Sequence, residues 1–295
     1  MSKRSSAGDR VTLALVAEEA GLSLATISKV LNGRPDVSAA TRERVEALLA
    51  ERGYERRSGT ARSRGELLEL VFHELQDNWS MEVIAGVERV ARNNGLSVVL
   101  TASGTRHSPD ADWIEGAMRR RPVGVVLVFS DLAPHYRAQL EARSVPFIII
   151  DPAGDPSPEV PSVGSANWSG GLQATRHLIE LGHRRIAAIT GPDDMMCSLA
   201  RVDGYRTAMN AAGLEIRQDW IRFGDFHVDG GRRHALDLLS ESEPPTAIFA
   251  GSDLQALGVY EAARSLGLRI PEELSVVGYD YIKVSEWVSP RLTTV

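Results

Sequence analysis

The 295 residues include a single cysteine, Cys197. That excludes an intramolecular disulfide framework and any zinc site built from cysteines, and it fits a reducing compartment. No apolar run approaches the roughly 18–20 residues that a bilayer span requires. The basic N-terminus, MSKRSSAGDR, leads into VTLALVAEEA, where Glu18 and Glu19 interrupt the apolar stretch and no small-residue cleavage site follows. A secretory leader is therefore not expected, and the expected address is cytoplasmic, with no membrane partner. Also missing are G-x-G-x-x-G after a strand, G-x-x-x-x-G-K-[ST], G-x-S-x-G and H-E-x-x-H. Without them there is no sign of a phosphate-cradling loop, an activated serine or a zinc protease helix, so neither cofactor, metal nor catalytic residue is expected.

What is present is ordinary globular material, 43% hydrophobic and 24% charged, which excludes a disordered or fibrous chain. At roughly 100–200 residues per domain, the length suits two to three domains. The net charge of −6 conceals an asymmetry. Residues 1–65 carry 12 Lys and Arg against 8 Asp and Glu, whereas the rest carry 21 against 31, so a small basic head precedes a large acidic body. That layout suits a nucleic-acid reader joined to a sensor or an enzyme, although a short basic segment can also be a plain solvated face.

Inside the head, Val16, Ala17 and Ala20, then Leu22, then Ile27, Val30 and Leu31 fall at helical spacing, broken at Gly21. Gly21 suits the left-handed end of a first helix and Ser23 the N-cap of a second. A third amphipathic stretch runs from Ser38 toward Gly53. The short second helix presents Thr26, Ser28 and Lys29, which are phosphate and base-edge donors; a helical dimerisation hairpin is the plainer alternative.

The stretch VTLALVAEEAGLSLATISKVLNGRPDVSAATRERVEALLAERGY, with its VAxxAGxSxxTxSxVLNG run and closing Gly53-Tyr54, resembles the DNA-binding head of the LacI/GalR family of bacterial repressors. The resemblance implies a helix-turn-helix over residues 10–54 whose second helix enters the major groove of operator DNA. Carried onto this sequence, Leu24, Ala25 and Lys29 would read bases, and Thr26, Ser28 and Asn32 would stand toward the backbone. Leu24 and Ala25 offer only apolar contact, for instance to a thymine methyl, which leaves hydrogen-bond discrimination to Lys29. Core packing is the alternative for Leu24. Residues 55–66, ERRSGTARSRGE, have the composition of a linker, and the family folds a hinge helix there that wedges a leucine into the minor groove. Ala61-Arg62 resembles the start of that motif, but the leucine is absent. Arg62, with Arg56, Arg57 and Arg64, would then lie along a narrow minor groove, or the segment is a flexible basic tether.

From Leu67 onward, LLELVF, SVVL, VGVVLVF, PFIIID, RIAAIT, AIFAG and LSVVGYD alternate with helical segments such as Met81–Asn94 and Gly170–Leu181. Short, β-branched, nearly all-apolar runs in such alternation predict parallel strands covered on both faces. The proline-rich stretch 152–161 breaks the series, giving lobes 67–165 and 166–295 with the crossover near Ser165. The segments Asn167-Trp-Ser-Gly-Gly, Arg201-Val-Asp-Gly-Tyr, Ala250-Gly-Ser-Asp and Ser275-Val-Val-Gly-Tyr-Asp, in that order, resemble the periplasmic-binding-protein-like effector domain of the same family. The expected fold class is thus an all-α three-helix head joined to an α/β body of two lobes with parallel sheets.

Ligands of open α/β sheets bind outside the carboxyl ends of the strands. The resemblance therefore implies a cleft for a sugar or small glycoside, with Arg201 and Asp280 as hydrogen-bonding partners and Asp151 facing them. Asn78 and Trp79, preceded by Asp77, follow the first strand; Phe226 would form an aromatic wall, opposite Ser252 and Asp253. Cys197 stands where the family often has serine. Helix N-capping is the alternative for each aspartate, Asp253 above all, and core packing for the two aromatics. His177 and His183 flank a helix end, where a dipole or capping role outweighs metal binding. The family continues beyond the stretch that ends here at Leu292-Thr-Thr-Val295, through a returning helix, a last strand and a cleft-contacting glutamine. The expected function is a sequence-specific, ligand-controlled repressor, a homodimer on operator DNA; a purine effector, an α/β enzyme or a solute-binding protein are the alternatives.

Overall fold

The computed structural model describes residues 13–31, 37–52, 66–73, 75, 78–104, 111–128, 132–152, 154 and 158–295. Asn32, Asp77 and nearly all of the 55–66 linker, Arg62 included, lie outside them. The chain divides into two compact units, residues 1–64 and 65–295.

The smaller unit contains α1 (Leu13–Ala20), α2 (Leu24–Leu31) and α3 (Ala39–Glu51). Gly21, at φ +62°, takes the left-handed turn between the first two, and the Leu22 N–H bonds back to the Ala17 carbonyl at 3.0 Å. Ser23 caps α2 by accepting the Thr26 N–H at 3.1 Å, and Ser38 caps α3 in the same way through Thr41. Val16, Ala17, Ala20, Ile27, Val30, Val45 and Leu49 close a core in which all three helices share.

The larger unit opens with β1 (Leu67–Phe72), α4 (Asn78–Asn93), β2 (Ser97–Ala102), α5 (Ala111–Arg120), β3 (Gly124–Val128), α6 (Pro134–Ala142), β4 (Phe147–Ile150) and β5 (Ser162–Val163). The five strands form one parallel sheet in the order β2-β1-β3-β4-β5. A charge lies inside it. Glu69 on β1 is fully buried and is gripped by Arg120 at the end of α5, whose Nε donates to it at 3.0 Å, and by the Thr101 hydroxyl.

The chain continues through α7 (Asn167–Glu180), β6 (Ile186–Thr190), α8 (Met196–Ala211), β7 (Ile221–Phe223), α9 (Val228–Leu239), β8 (Ala247–Ala250), α10 (Asp253–Ser265), β9 (Ser275–Gly278) and β10 (Thr293–Thr294). Its sheet, β7-β6-β8-β9-β10, is again parallel and repeats the strand order of the first. In β6, Ala187 and Ile189 face the cluster with α9 and α10 while Ile186 and Ala188 face α7 and α8, so the strand is apolar on both faces. β5, β7 and β10 were not expected; at two or three residues they show no periodicity. His183, expected to flank a helix end in a dipole or capping role, follows α7, where its backbone N–H bonds the Leu178 carbonyl at 3.2 Å; its ring shares a 2.9 Å hydrogen bond with the Thr246 hydroxyl, and burial lowers its pKa.

Glycines set the helix spacing on both faces of the second sheet. A Cβ on Gly204 of α8 would lie 2.2 Å from the Trp168 carbonyl oxygen, and one on Gly171 of α7 2.2 Å from that of Arg201. Gly231 and Gly258 bring α9 and α10 together in the same way. Gly204→Ala should therefore force α7 and α8 apart and cost about 1–3 kcal/mol, read as a fall in the denaturant midpoint of the larger unit.

Asp253 closes the far edge of this lobe. Its backbone N–H bonds the Tyr279 carbonyl, and its carboxylate accepts the Ile282 N–H at 2.9 Å and the Thr294 hydroxyl. Burial pushes its pKa up to about 6, against the pull of those donors. Because the folded value lies above the ordinary carboxylate value, this group's contribution is fully present below about pH 4 and is lost as pH rises through 6, a loss of about 2–3 kcal/mol. Asp253→Asn should remove that component, so the difference in unfolding free energy between wild type and variant should shift by this amount between pH 4 and 7.

Candidate functional site

Both sheets have the doubly wound order in which the connections change direction beside the first strand, so each opens a crevice at its carboxyl edge. A cavity of about 270 Å³ lies there in the larger unit. The first lobe contributes His73, just past β1, and Trp79 in the first turn of α4; the second contributes Pro192, Met195, Cys197 and Arg201 around the start of α8. The ends of β7, β8 and β9 add Asp225, Phe226 and His227, then Ser252 and Leu254, then Asp280 and Ile282.

Arg201 is the centre of this arrangement, with its side chain only 5% exposed. Its Nε donates to Asn167 Oδ1 at 2.8 Å, Nη1 to the Gly251 carbonyl and Nη2 to Asp280 Oδ1 at 3.5 Å. The guanidinium lies 3.7 Å from the Tyr279 ring centroid and 5.4 Å from that of Phe226. Those two faces hold the charge where water is scarce. Five N–H donors against these three acceptors leave the fork capable of binding a further partner at the cavity. Phe226 (φ +65°) and Asp280 (φ +101°) both have left-handed backbones, a conformation that non-glycine residues hold only where their surroundings enforce it. The Phe226 ring packs on Gly191, where a Cβ would fall 2.0 Å from it, and the Phe226 carbonyl accepts the Ser252 hydroxyl at 2.8 Å.

Of the residues expected in the cleft, Trp79, Cys197, Arg201, Phe226, Ser252 and Asp280 line this one cavity. Three others stand elsewhere. Asn78 is exposed at the start of α4 and does not line the cavity. Asp151, buried at the end of β4, spends its carboxylate on the Ser165 N–H (2.8 Å) and hydroxyl (3.1 Å), stitching the strand end to the crossover. Asp253 spends both oxygens inside the fold, as described above, and the N-cap of α10 is Ser252, which accepts the Gln255 N–H at 3.1 Å. Cys197 lines the cavity as a thiol, its pKa raised by burial.

Among the described residues, seven that line the cavity were not anticipated: His73, Pro192, Met195, Asp225, His227, Leu254 and Ile282. Asp225 and His227 follow β7, which was itself missed. His73, Pro192 and Leu254 were within reach of the strand-end rule applied residue by residue.

In the smaller unit, Leu24, Ala25 and Lys29 stand exposed on α2, with Leu24 53% accessible. Thr26 and Ser28 are half-buried beside them, and the Thr26 hydroxyl lies 2.9 Å from Ser23 Oγ. Leu24 thus stands outside the head's core. Among the described residues no group of three or more His, Cys, Asp or Glu could hold a metal ion, and no helix is long and apolar enough to cross a membrane.

Residues 66–294 match the family of periplasmic binding proteins and sugar binding domain of LacI family, and residues 12–57 match the bacterial regulatory proteins, lacI family. Over 297 residues the chain is 36% identical to the HTH-type transcriptional regulator CelR of Thermobifida fusca, an alignment covering 97% of this chain and 86% of that protein. Its fold is similar to a solved transcriptional regulator CelR–cellobiose complex, with a TM-score of 0.69 and 34% identity over 97% of this chain and 87% of that one. It is also similar to the lac repressor dimer bound to operator and the anti-inducer ONPF, with a TM-score of 0.66 and 28% identity over 97% and 87%. With a regulatory-head match and an effector-body match together accounting for nearly its whole length, the chain belongs to the LacI family of bacterial regulatory proteins.

Proposed function

We propose that this chain is a cytoplasmic transcriptional repressor that binds operator DNA as a homodimer and is controlled by a sugar or small glycoside in the cleft. Residues 10–54 are the DNA-binding head, 55–66 the hinge, and 67–165 and 166–295 the two lobes. The observation that carries the reading is the Arg201–Asp280 pair, a fork of donors beside an acceptor, lining a cavity with Trp79 and Phe226 in its walls. Vicinal hydroxyls match such a pair, and the C–H face of a sugar ring matches an aromatic wall. The CelR–cellobiose complex supports the same ligand class.

The site binds and does not transform its ligand in this reading. Its only thiol, Cys197, is held in the protonated, weakly nucleophilic form by burial. Control follows from linkage: a ligand with different affinities for the open and closed lobes shifts their populations, and the operator-binding state shifts with them.

Two measurements check the assignment. Arg201→Ala should weaken binding of the recognised sugar, found by screening mono- and disaccharides including cellobiose, by about 1–3 kcal/mol or more in calorimetry, because its partners are left unpaired. Arg201→Lys should fail to restore the affinity, since an ammonium cannot reproduce the fork. Effector affinity unchanged in a folded Arg201→Ala protein would make this a purely structural arginine.

On DNA, Lys29→Ala should cost about 1–3 kcal/mol on the fragment upstream of the chain's own gene and much less on random sequence, read by fluorescence anisotropy. Equal weakening on both would reassign Lys29 to the phosphate backbone.

A further inference from the structure

The body is acidic, but one edge of its first sheet is not. At the amino ends of the strands, opposite the cavity, Leu67 follows the linker directly and starts β1, the strand flanked by β2 and β3. The turns leading into those neighbours close beside it: the Ser97 N–H bonds the Glu66 carbonyl at 2.6 Å, and the Val123 N–H bonds the Leu67 carbonyl at 2.9 Å. The turn into β4 joins the same edge, where the Val125 N–H bonds the Pro146 carbonyl at 2.9 Å. Residues 88–97, 117–124 and 139–147, which run from the last turns of α4, α5 and α6 into these strands, hold six arginines and two glutamates. Both glutamates are engaged, Glu88 by Arg92 at 3.6 Å and Glu141 by Arg137 at 2.7 Å, and Arg120 is spent on the buried Glu69. Among the described residues, Arg119, Arg121 and Arg143 are exposed and form no ion pair.

The backbone at Arg121 sets this edge apart. Arg121 ends α5, its N–H bonding the Ala117 carbonyl at 3.2 Å, with a left-handed φ of +55°. Just past α4, α7, α8 and α10 the left-handed residue is a glycine, as backbone sterics favour. An arginine held there keeps a charge at a conformational cost. The α5 dipole does not require it, because Arg119 and Arg120 already occupy the last turn.

Exposed guanidinium forks without carboxylate partners match phosphate oxygens, and the linker that enters at Leu67 is itself arginine-rich, with Arg56, Arg57, Arg62 and Arg64. We propose, resting on the operator-binding function argued above, that this edge is a second DNA-contacting surface. Arg119, Arg121 and Arg143 engage backbone phosphates of the duplex that the head reads, adding affinity that carries no sequence information.

The test uses the full chain and fluorescence anisotropy over a range of salt concentrations, on the fragment upstream of its own gene and on a random duplex of equal length. Combining Arg119→Gln, Arg121→Gly and Arg143→Gln should weaken both duplexes by a similar factor, about tenfold or more at low salt, and should reduce the slope of log affinity against log salt by about 2 or more. Thermal unfolding should be unchanged or shifted upward, since glycine suits the left-handed position. The triple lysine variant should keep the wild-type slope, because the charge is retained. An unchanged slope in the folded glutamine–glycine variant makes this edge a solvated face and overturns the proposal, leaving the DNA-binding reading intact. Loss confined to the operator fragment, or a lysine variant as weak as the neutral one, also overturns it and points to an effect on the head rather than on phosphates. If the wild-type chain binds neither duplex, the DNA-binding reading falls and this inference with it.

Discussion

A buried guanidinium organises the second lobe. Arg201 can stay charged in a nearly water-free position only if its donors are met and its faces covered, since an unpaired buried ion is far more costly than any contact it makes. Its acceptors come from the start of α7, the end of β8 and the turn after β9, and its faces from Tyr279 and Phe226. Elements far apart in sequence are thus drawn to one point. The backbone at the same residue is equally engaged, because the Arg201 carbonyl touches the bare Cα of Gly171. Removing the side chain affects both the ligand's partner and a junction of the fold, which is why a lysine replacement separates the two roles better than alanine alone.

Much of this was legible in the sequence, for reasons that differ by element. The long strands announced themselves because a parallel strand covered on both faces is an unbroken apolar run, as in IAAIT of β6. The three-residue β7 could not, and with it went Asp225 and His227. Arg201 and Asp280 were found by resemblance to a family motif. Asp151 and Asp253 illustrate the limit of that method: an aspartate at a strand end serves a ligand or a backbone N–H equally well, and only the fold decides. Here Ser165 reaches Asp151, and Ile282 and Thr294 reach Asp253. The glycines of Trp-Ser-Gly-Gly and Asp-Gly-Tyr were read as markers, but their reason, two helices touching backbone to backbone, is a property of pairs that no single segment displays.

The head shows the opposite balance. Its helices, caps and left-handed glycine follow from local residues with little help from tertiary packing, and among the described residues its core is correspondingly small. What the local pattern left open was the orientation of Leu24, which an apolar side chain beside an N-cap would ordinarily resolve toward the interior. In this chain Ile27 and Val30 are buried in the head's core, and Leu24 stands exposed.

The glycine crossings have a mechanical consequence. With α7 against α8 on one face of the second sheet and α9 against α10 on the other, each pair meets backbone to backbone at its glycine crossing, where no compliant side-chain layer lies between the helices. Sliding of either pair would drive backbone into backbone at these points, so shear is resisted on both faces of the sheet. A lobe braced in this way favours rotation as a unit over internal sliding as the means of opening or closing the cleft.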